Sequence, residues 1–252
     1  MAQAQRDPSA SAAGGDVVPS ATDGELAFEL PGGARALFTS RAGGNLSTAT
    51  GDQHEHGLRR RDALCERLGL RWLCASRQVH GTAVHVVERV AGAGGAPAAL
   101  DADGHATALP ALGVMVLAAD CLPVALGCQG AVAVVHAGWR GLSAGVLEQG
   151  VRTLRCLAAD ESAITAIVGP GAGVCCYEVG LEVHAAFGGA HAHAHARGRR
   201  LDLRAIAHER LLAAGVADVR NARACTICDE RFFSHRREGE RAGRNAGIAW
   251  LS

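Results

Sequence analysis

The 252-residue chain contains no lysine: all 25 of its basic residues are arginine. It also has little aromatic content, at 4%, with a single tyrosine and only two methionines. Alanine and glycine are abundant instead, so the missing lysine reads as a GC-rich codon bias. Bidentate anion binding by arginine therefore has to be argued site by site. Charge of one sign is lacking too, because 25 acidic residues balance the 25 basic ones. A domain that gripped nucleic acid through its phosphates would be basic, so that class is disfavoured. No window approaches eighteen uninterrupted apolar residues, which excludes a transmembrane helix. The first residues lack a basic segment followed by an apolar core, so a secretory signal is not expected. A cytoplasmic protein that does not engage membranes is the expectation.

What is present is a core-forming composition, 48% hydrophobic, which excludes disorder of the whole chain. Nine cysteines, an odd number, fit core fillers, metal ligands or nucleophiles better than disulfides in a reducing compartment. Residues 1–24 are Ala, Ser, Gly, Asp and Pro without period and read as a disordered tail, leaving 25–252 as one domain. Glu25 to Thr39 alternates around Pro31-Gly32-Gly33 and predicts a hairpin. Leu58 to Leu70 has helical spacing. Val114–Ala119, Ala131–Val135 and Ile164–Val168 are short runs rich in β-branched residues and read as buried strands. Ser143–Leu157 predicts a helix capped by Ser143, and Leu203–Ala214 a helix ended by Gly215. Gly188–Arg200, with its alternating His and Ala, reads as a loop. Strands and helices mix throughout, so the class is α/β or α+β.

Three segments place a metal-capable side chain at a predicted strand end: Gln78-Val79-His80-Gly81, Ala119-Asp120-Cys121-Leu122-Pro123 and Val135-His136-Ala137-Gly138-Trp139-Arg140-Gly141. Two histidines and a thiolate are the donors zinc prefers, and three protein ligands leave a fourth position open, as in catalytic sites. From residue type and spacing alone a second reading stands beside this one. In it His80 and His136 are satisfied loop histidines and Cys121 is a core residue.

These blocks resemble the YfiH-like or laccase-domain family, whose members also carry polyphenol oxidase and purine nucleoside phosphorylase names. The resemblance is carried further by Thr39-Ser40-Arg41 with Gly43-Gly44-Asn45-Leu46, by Gly169-Pro170 leading to Cys175-Cys176-Tyr177-Glu178-Val179, and by Leu201-Asp202-Leu203. Cys225-Thr226-Ile227-Cys228, Phe232-Phe233-Ser234-His235-Arg236-Arg237 and Gly243-Arg244 complete it, over roughly residues 30–251. It implies an α+β fold of mixed β-sheets packed in layers and covered by helices. It also implies His80, Cys121 and His136 as catalytic zinc ligands, with copper as the alternative metal. The implied activity is phosphorolysis of adenosine, inosine and methylthioadenosine, together with adenosine deamination, so the partners are a purine nucleoside and phosphate. Arg41, Asn45, Arg140 and Arg237 are the candidate substrate or phosphate contacts, because guanidinium forks match phosphate oxygens. Asp103 and His105 are the candidates for a general acid.

Three other functions compete. A laccase would need many further histidine ligands, and the chain offers only His191, His193 and His195 in pairs, with Met115 its one methionine after Met1. A cysteine hydrolase or amidase acting on cell-wall precursors would use Cys121 as nucleophile and His136 as base. A non-catalytic, metal-stabilised partner module would bind zinc without turnover. Cys225 and Cys228 form a CxxC with no second pair near in sequence, and are read as structural rather than as a second metal site.

Overall fold

The structure, a computed structural model, describes residues 24–48, 51–88, 100–158, 162–188 and 195–252. The expected tail over 1–24 therefore lies outside the described residues except for Gly24, as do His191 and His193. Two sheets form the centre. The first runs β1 (Leu26–Glu29), β2 (Ala34–Phe38), β13 (Asn245–Leu251), β6 (Leu112–Ala118) and β3 (Trp72–Cys74). The second runs β12 (Asp218–Asn221), β9 (Thr165–Val168), β7 (Leu122–Cys128), β8 (Ala131–Ala137), β5 (Gly104–Thr107) and β4 (Val84–Val86). A separate two-stranded ribbon pairs β10 (Ala196–Arg197) with β11 (Arg200–Leu201).

The helices are α1 (Gly51–Leu68), α2 (Trp139–Ala144), α3 (Val146–Leu157), α4 (Leu181–Ala186), α5 (Leu203–Ala213) and α6 (His235–Glu238). Period-two alternation sorts strand residues between layers. On β8, Val132 and Val134 face the first sheet, packing with Ala36, Phe38, Val114, Val116 and Ala249. The intervening Ala131, Ala133, Val135 and Ala137 face the other way, against Leu147, Val151 and Leu154 of α3 and Ile206 of α5. On β6, Met115 points to the outer face with Leu64 of α1 and Ile248. The result is four layers, helix, sheet, sheet, helix, and it is α+β with mixed sheets as the sequence implied. Among the described residues no helix is long and apolar enough to cross a membrane.

Two local features depart from expectation. Leu122–Cys128, which the sequence reading does not pick out, is a full strand; pairing with β9 begins only at Val124, so the missing Pro123 N–H costs no ladder bond there. Ser143 does not cap α3. It lies inside α2 and donates its hydroxyl to the Arg140 carbonyl, while Gly145, at φ +98°, turns the chain into α3.

Met115, fully buried between α1 and the first sheet, tests this layering. Met115→Ala should destabilise the fold by about 2–5 kcal/mol through lost burial and a residual cavity. Urea unfolding would show it as a lower midpoint, with metal content unchanged.

Candidate metal and active site

The candidate site lies at one end of the second sheet, and strand register builds it. Gly104 of β5 pairs with Val135 of β8, which sets Asp103 beside His136, and the His136 N–H donates to the Asp103 carbonyl at 2.7 Å. Leu122 pairs with Ala137, so Cys121 falls opposite Gly138. Val84 pairs in parallel with Gly104, so the loop carrying His80 runs past Asp103. Gln78 fixes that loop from its other side, donating to the Leu117 carbonyl and accepting from the Leu117 N–H, both at 2.7 Å.

The ligand atoms of His80, Cys121 and His136 lie within 4.8 Å of one another. Cys121 Sγ is 3.9 Å from His80 Nε2, and the two imidazole rings stand edge to face with centroids 4.9 Å apart. Metal bonds of about 2.0–2.3 Å from three such atoms are reachable with small side-chain adjustments. His136 is buried, Cys121 half-buried and His80 exposed, so the cluster is closed on one side and open on the other.

Asp103 holds this arrangement. Fully buried, its carboxylate accepts from the N–H groups of Val79 at 3.1 Å, His80 at 2.9 Å and Gly81 at 2.7 Å, and from His136 Nδ1 at 2.9 Å. Burial pushes its pKa up, but the His136 bond and the Gly81 and Val79 N–H groups outweigh that and hold it below the usual carboxylate range. With Nδ1 engaged by Asp103, His136 presents Nε2 to Cys121, the orientation a carboxylate gives a metal-ligating histidine. Burial opposes charge on both partners, yet their mutual attraction wins. It lowers Cys121 to about 6 and, with the Asp103 bond, raises His136 to about 9. Each partner thus favours the charged form of the other, and a cation would compete with the imidazolium proton for that place.

Gly138 is required by space. A Cβ there would stand 2.8 Å from His80 Cδ2 and 3.0 Å from Cys121 Sγ. Asp120 adopts φ +90°, unusual for a residue with a side chain. Its carboxylate accepts from Thr226 Oγ1 at 2.6 Å and the Arg236 N–H at 2.7 Å, which pins the turn into Cys121.

The other expected site residues divide. Arg140 is exposed, with its guanidinium over the Trp139 ring at 4.3 Å, and has no acidic partner among the described residues. Arg41 and Arg237 are already committed. Both bind the Glu238 carboxylate, and they take the carbonyls of Glu230, Phe232, Thr226 and Ile227. Asn45 Oδ1 accepts from the N–H groups of Ser47 and Arg244. These three hold loops together. Arg236, the neighbour of Arg237, lies over the Tyr177 ring instead and lines a cleft of about 380 Å³ with Trp139, Tyr177 and Arg199. Tyr177 was missed as a site residue. Burial and the nearby Cys121 charge push it up to about 12, so it stays a neutral hydroxyl. Its signal in the sequence is that it is the only tyrosine and follows the Cys175-Cys176 pair.

Neither Asp103 nor His105 stands free as a proton donor in this structure. Asp103 is ionised with four donors on it. His105 is buried 3.6 Å from Cys74 Sγ, and burial followed by the nearby His85 lowers it to about 4. His195 sits 3.0 Å from Glu209. The CxxC is not alone: Cys175 and Cys176 meet Cys225 and Cys228, all four sulfurs within 4.8 Å.

Asp103→Asn should weaken metal binding about 10- to 100-fold, because the amide cannot accept from three N–H groups and orient His136 as the carboxylate does. Competition with a chromogenic chelator measures this. His105→Gln, which alters a buried residue outside the cluster, should leave the affinity within about twofold of wild type.

A family profile described as multi-copper polyphenol oxidoreductase laccase matches residues 32–252. Purine nucleoside phosphorylase of Xylella fastidiosa (strain Temecula1) is 39% identical over 237 residues, covering 88% of each chain. Purine nucleoside phosphorylase YfiH of Escherichia coli (strain K12) is 36% identical, covering 88% of this chain and 95% of that one. The crystal structure of Neisseria meningitidis protein NMB0706 superposes with a TM-score of 0.76 at 32% identity, covering 88% and 96% of the two chains. The chain therefore belongs to the YfiH-like, laccase-domain family.

Proposed function

We propose that this chain is a zinc-dependent purine nucleoside phosphorylase that takes adenosine, inosine and methylthioadenosine with phosphate, and that it also deaminates adenosine. The observation that carries the reading is the open His80–Cys121–His136 cluster, oriented by Asp103, together with the exposed guanidinium of Arg140, four residues after His136, which has no acidic partner among the described residues. Relatives named purine nucleoside phosphorylase supply the reaction class. Nine free thiols suit a reducing, cytoplasmic setting.

His80, Cys121 and His136 would hold the metal. When bound, zinc supplies Lewis acidity toward water or a substrate heteroatom. The chain's own groups do the positioning. Arg140, over the Trp139 ring, keeps its fork of donors available for two phosphate oxygens. Arg236 spends one donor on the Glu178 carbonyl at 2.8 Å and retains others toward the cleft. In phosphorolysis a phosphate oxygen bonds to C1′ as the C1′–N9 bond breaks, and the proton of the hydrogen phosphate passes to the departing base. Holding the phosphate beneath C1′ converts that encounter into a step within one complex. Trp139 and Tyr177 offer aromatic surface for the purine, and the neutral Tyr177 hydroxyl is a donor at the cleft wall.

One observation favours a second reading. Cys121 and His136 favour each other's charged forms, with Asp103 behind the histidine, the order of nucleophile, base and orienting group in a cysteine hydrolase. The multi-copper reading lacks ligands. Among the described residues the ligand clusters are this one and the four cysteines. Met115 is enclosed in the core.

Arg140→Lys should raise the phosphate KM or lower kcat for inosine phosphorolysis by about ten- to a hundredfold, from the loss of a charge-assisted bond worth about 1.5–3 kcal/mol. Adenosine deamination, which uses water, should fall much less in the same protein. Equal losses would assign Arg140 to loop support. Chelator-stripped enzyme should lose both activities; retained turnover without metal would favour the hydrolase.

A further inference from the structure

The four-cysteine cluster is unused by the proposed chemistry. Cys175 and Cys176 lie in the tight turn after β9, where the N–H groups of Cys176 and Tyr177 both donate to the Gly173 carbonyl. Cys225 and Cys228 lie in the loop after β12. Backbone bonds register the two loops: Gly171 N–H to the Ala224 carbonyl at 3.2 Å, and Thr226 N–H to the Gly171 carbonyl at 3.1 Å. The four sulfurs lie within 4.8 Å of one another, and Cys175 Sγ is 3.8 Å from Cys228 Sγ. Tetrahedral zinc with Zn–S bonds of about 2.3 Å needs sulfurs about 3.8 Å apart, so small rotations complete the tetrahedron.

Two further features suit a tetrathiolate. The N–H groups of Cys228, Gly173 and Ile227 all donate to Cys225 Sγ, the first two from opposite loops. Donors converging on one sulfur stabilise it as thiolate, the form that binds metal. Four thiolates on a divalent ion carry a net charge near −2, and Arg204 is placed to offset it. Arg204 lines the same cavity wall as Cys175 and Cys225; Asp202 first and then Cys225 and Cys175 favour its charge, and among the described residues its buried Nε has no hydrogen-bond partner.

We propose that Cys175, Cys176, Cys225 and Cys228 form a second metal site, a tetrathiolate that takes one zinc ion and clamps the loop carrying Tyr177 to the loop carrying Thr226. Four sulfur donors and no open position make the site structural rather than catalytic. Through Thr226, which donates to Asp120 next to Cys121, the clamp braces the turn that delivers a ligand of the first site. The proposal stands independently of the phosphorylase reading.

The test uses the whole protein, purified reduced and equilibrated with zinc. Elemental analysis should give two zinc ions per chain. Cys228→Ser and His80→Ala should each lower that to one, and their combination to none. Cobalt substitution should give the strong visible bands and thiolate charge transfer of a tetrathiolate in wild type and His80→Ala but not in Cys228→Ser. Should Cys228→Ser fail to fold, alkylation of wild type by iodoacetamide decides the matter. With zinc present these four cysteines should be protected, and after chelation they should react at least tenfold faster. One zinc in wild type that disappears in His80→Ala, or equal alkylation with and without zinc, would overturn the second site. Neither result bears on the phosphorylase assays.

Discussion

One buried carboxylate organises the candidate site. Asp103 gathers three consecutive N–H groups of the 79–81 loop and the Nδ1 of His136, so two candidate ligand histidines from distant segments are fixed by a single group. Leaving any of those donors unpaired at this depth would carry a desolvation penalty of about 1–3 kcal/mol. The loop therefore has little freedom to swing His80 away. His80 itself sits at φ +60°, a conformation with a steric cost for a residue with a side chain, and the Asp103 bond to its N–H helps maintain it.

The layered fold explains why the carboxylate is available. β5, β8 and β7 are neighbours in the second sheet, buried on both faces, and their register brings Asp103, His136 and Cys121 to one sheet end. Strands buried on both faces cannot slip without exposing apolar side chains. The candidate site thus rests on a rigid support, flanked by the loops after β9 and β12. Those loops deliver Tyr177, Thr226 and Arg236, and they meet at the cysteine cluster.

Much of this was legible beforehand. The β-branched runs of β6, β8 and β9, the spacing of α3 and α5, and the hairpin around Pro31 all carry local periodicity, so the elements could be placed. The three ligand blocks could be picked out by residue type. Less legible was the work of the arginines. In a chain whose every cation is arginine, side chains that bind carbonyls, as Arg41 and Arg237 do, look the same in sequence as Arg140 and Arg236. Neighbours Arg236 and Arg237 differ only in the direction they leave a four-residue helix, and a shift of one residue turns a side chain by about 100°.

The sequence by itself determined the mixture of strands and helices, the apolar runs that become buried strands, and the donor types on offer; the layering came from the family resemblance. The sequence did so because periodicity and propensity are local. Tertiary structure alone decided that Asp103 gathers four donors, that His105 is a core residue, and that Cys175 and Cys176 stand against Cys225 and Cys228. Those outcomes depend on strand register and on where two loops close about fifty residues apart, and convergence of side chains across such a distance leaves no periodic trace in the chain.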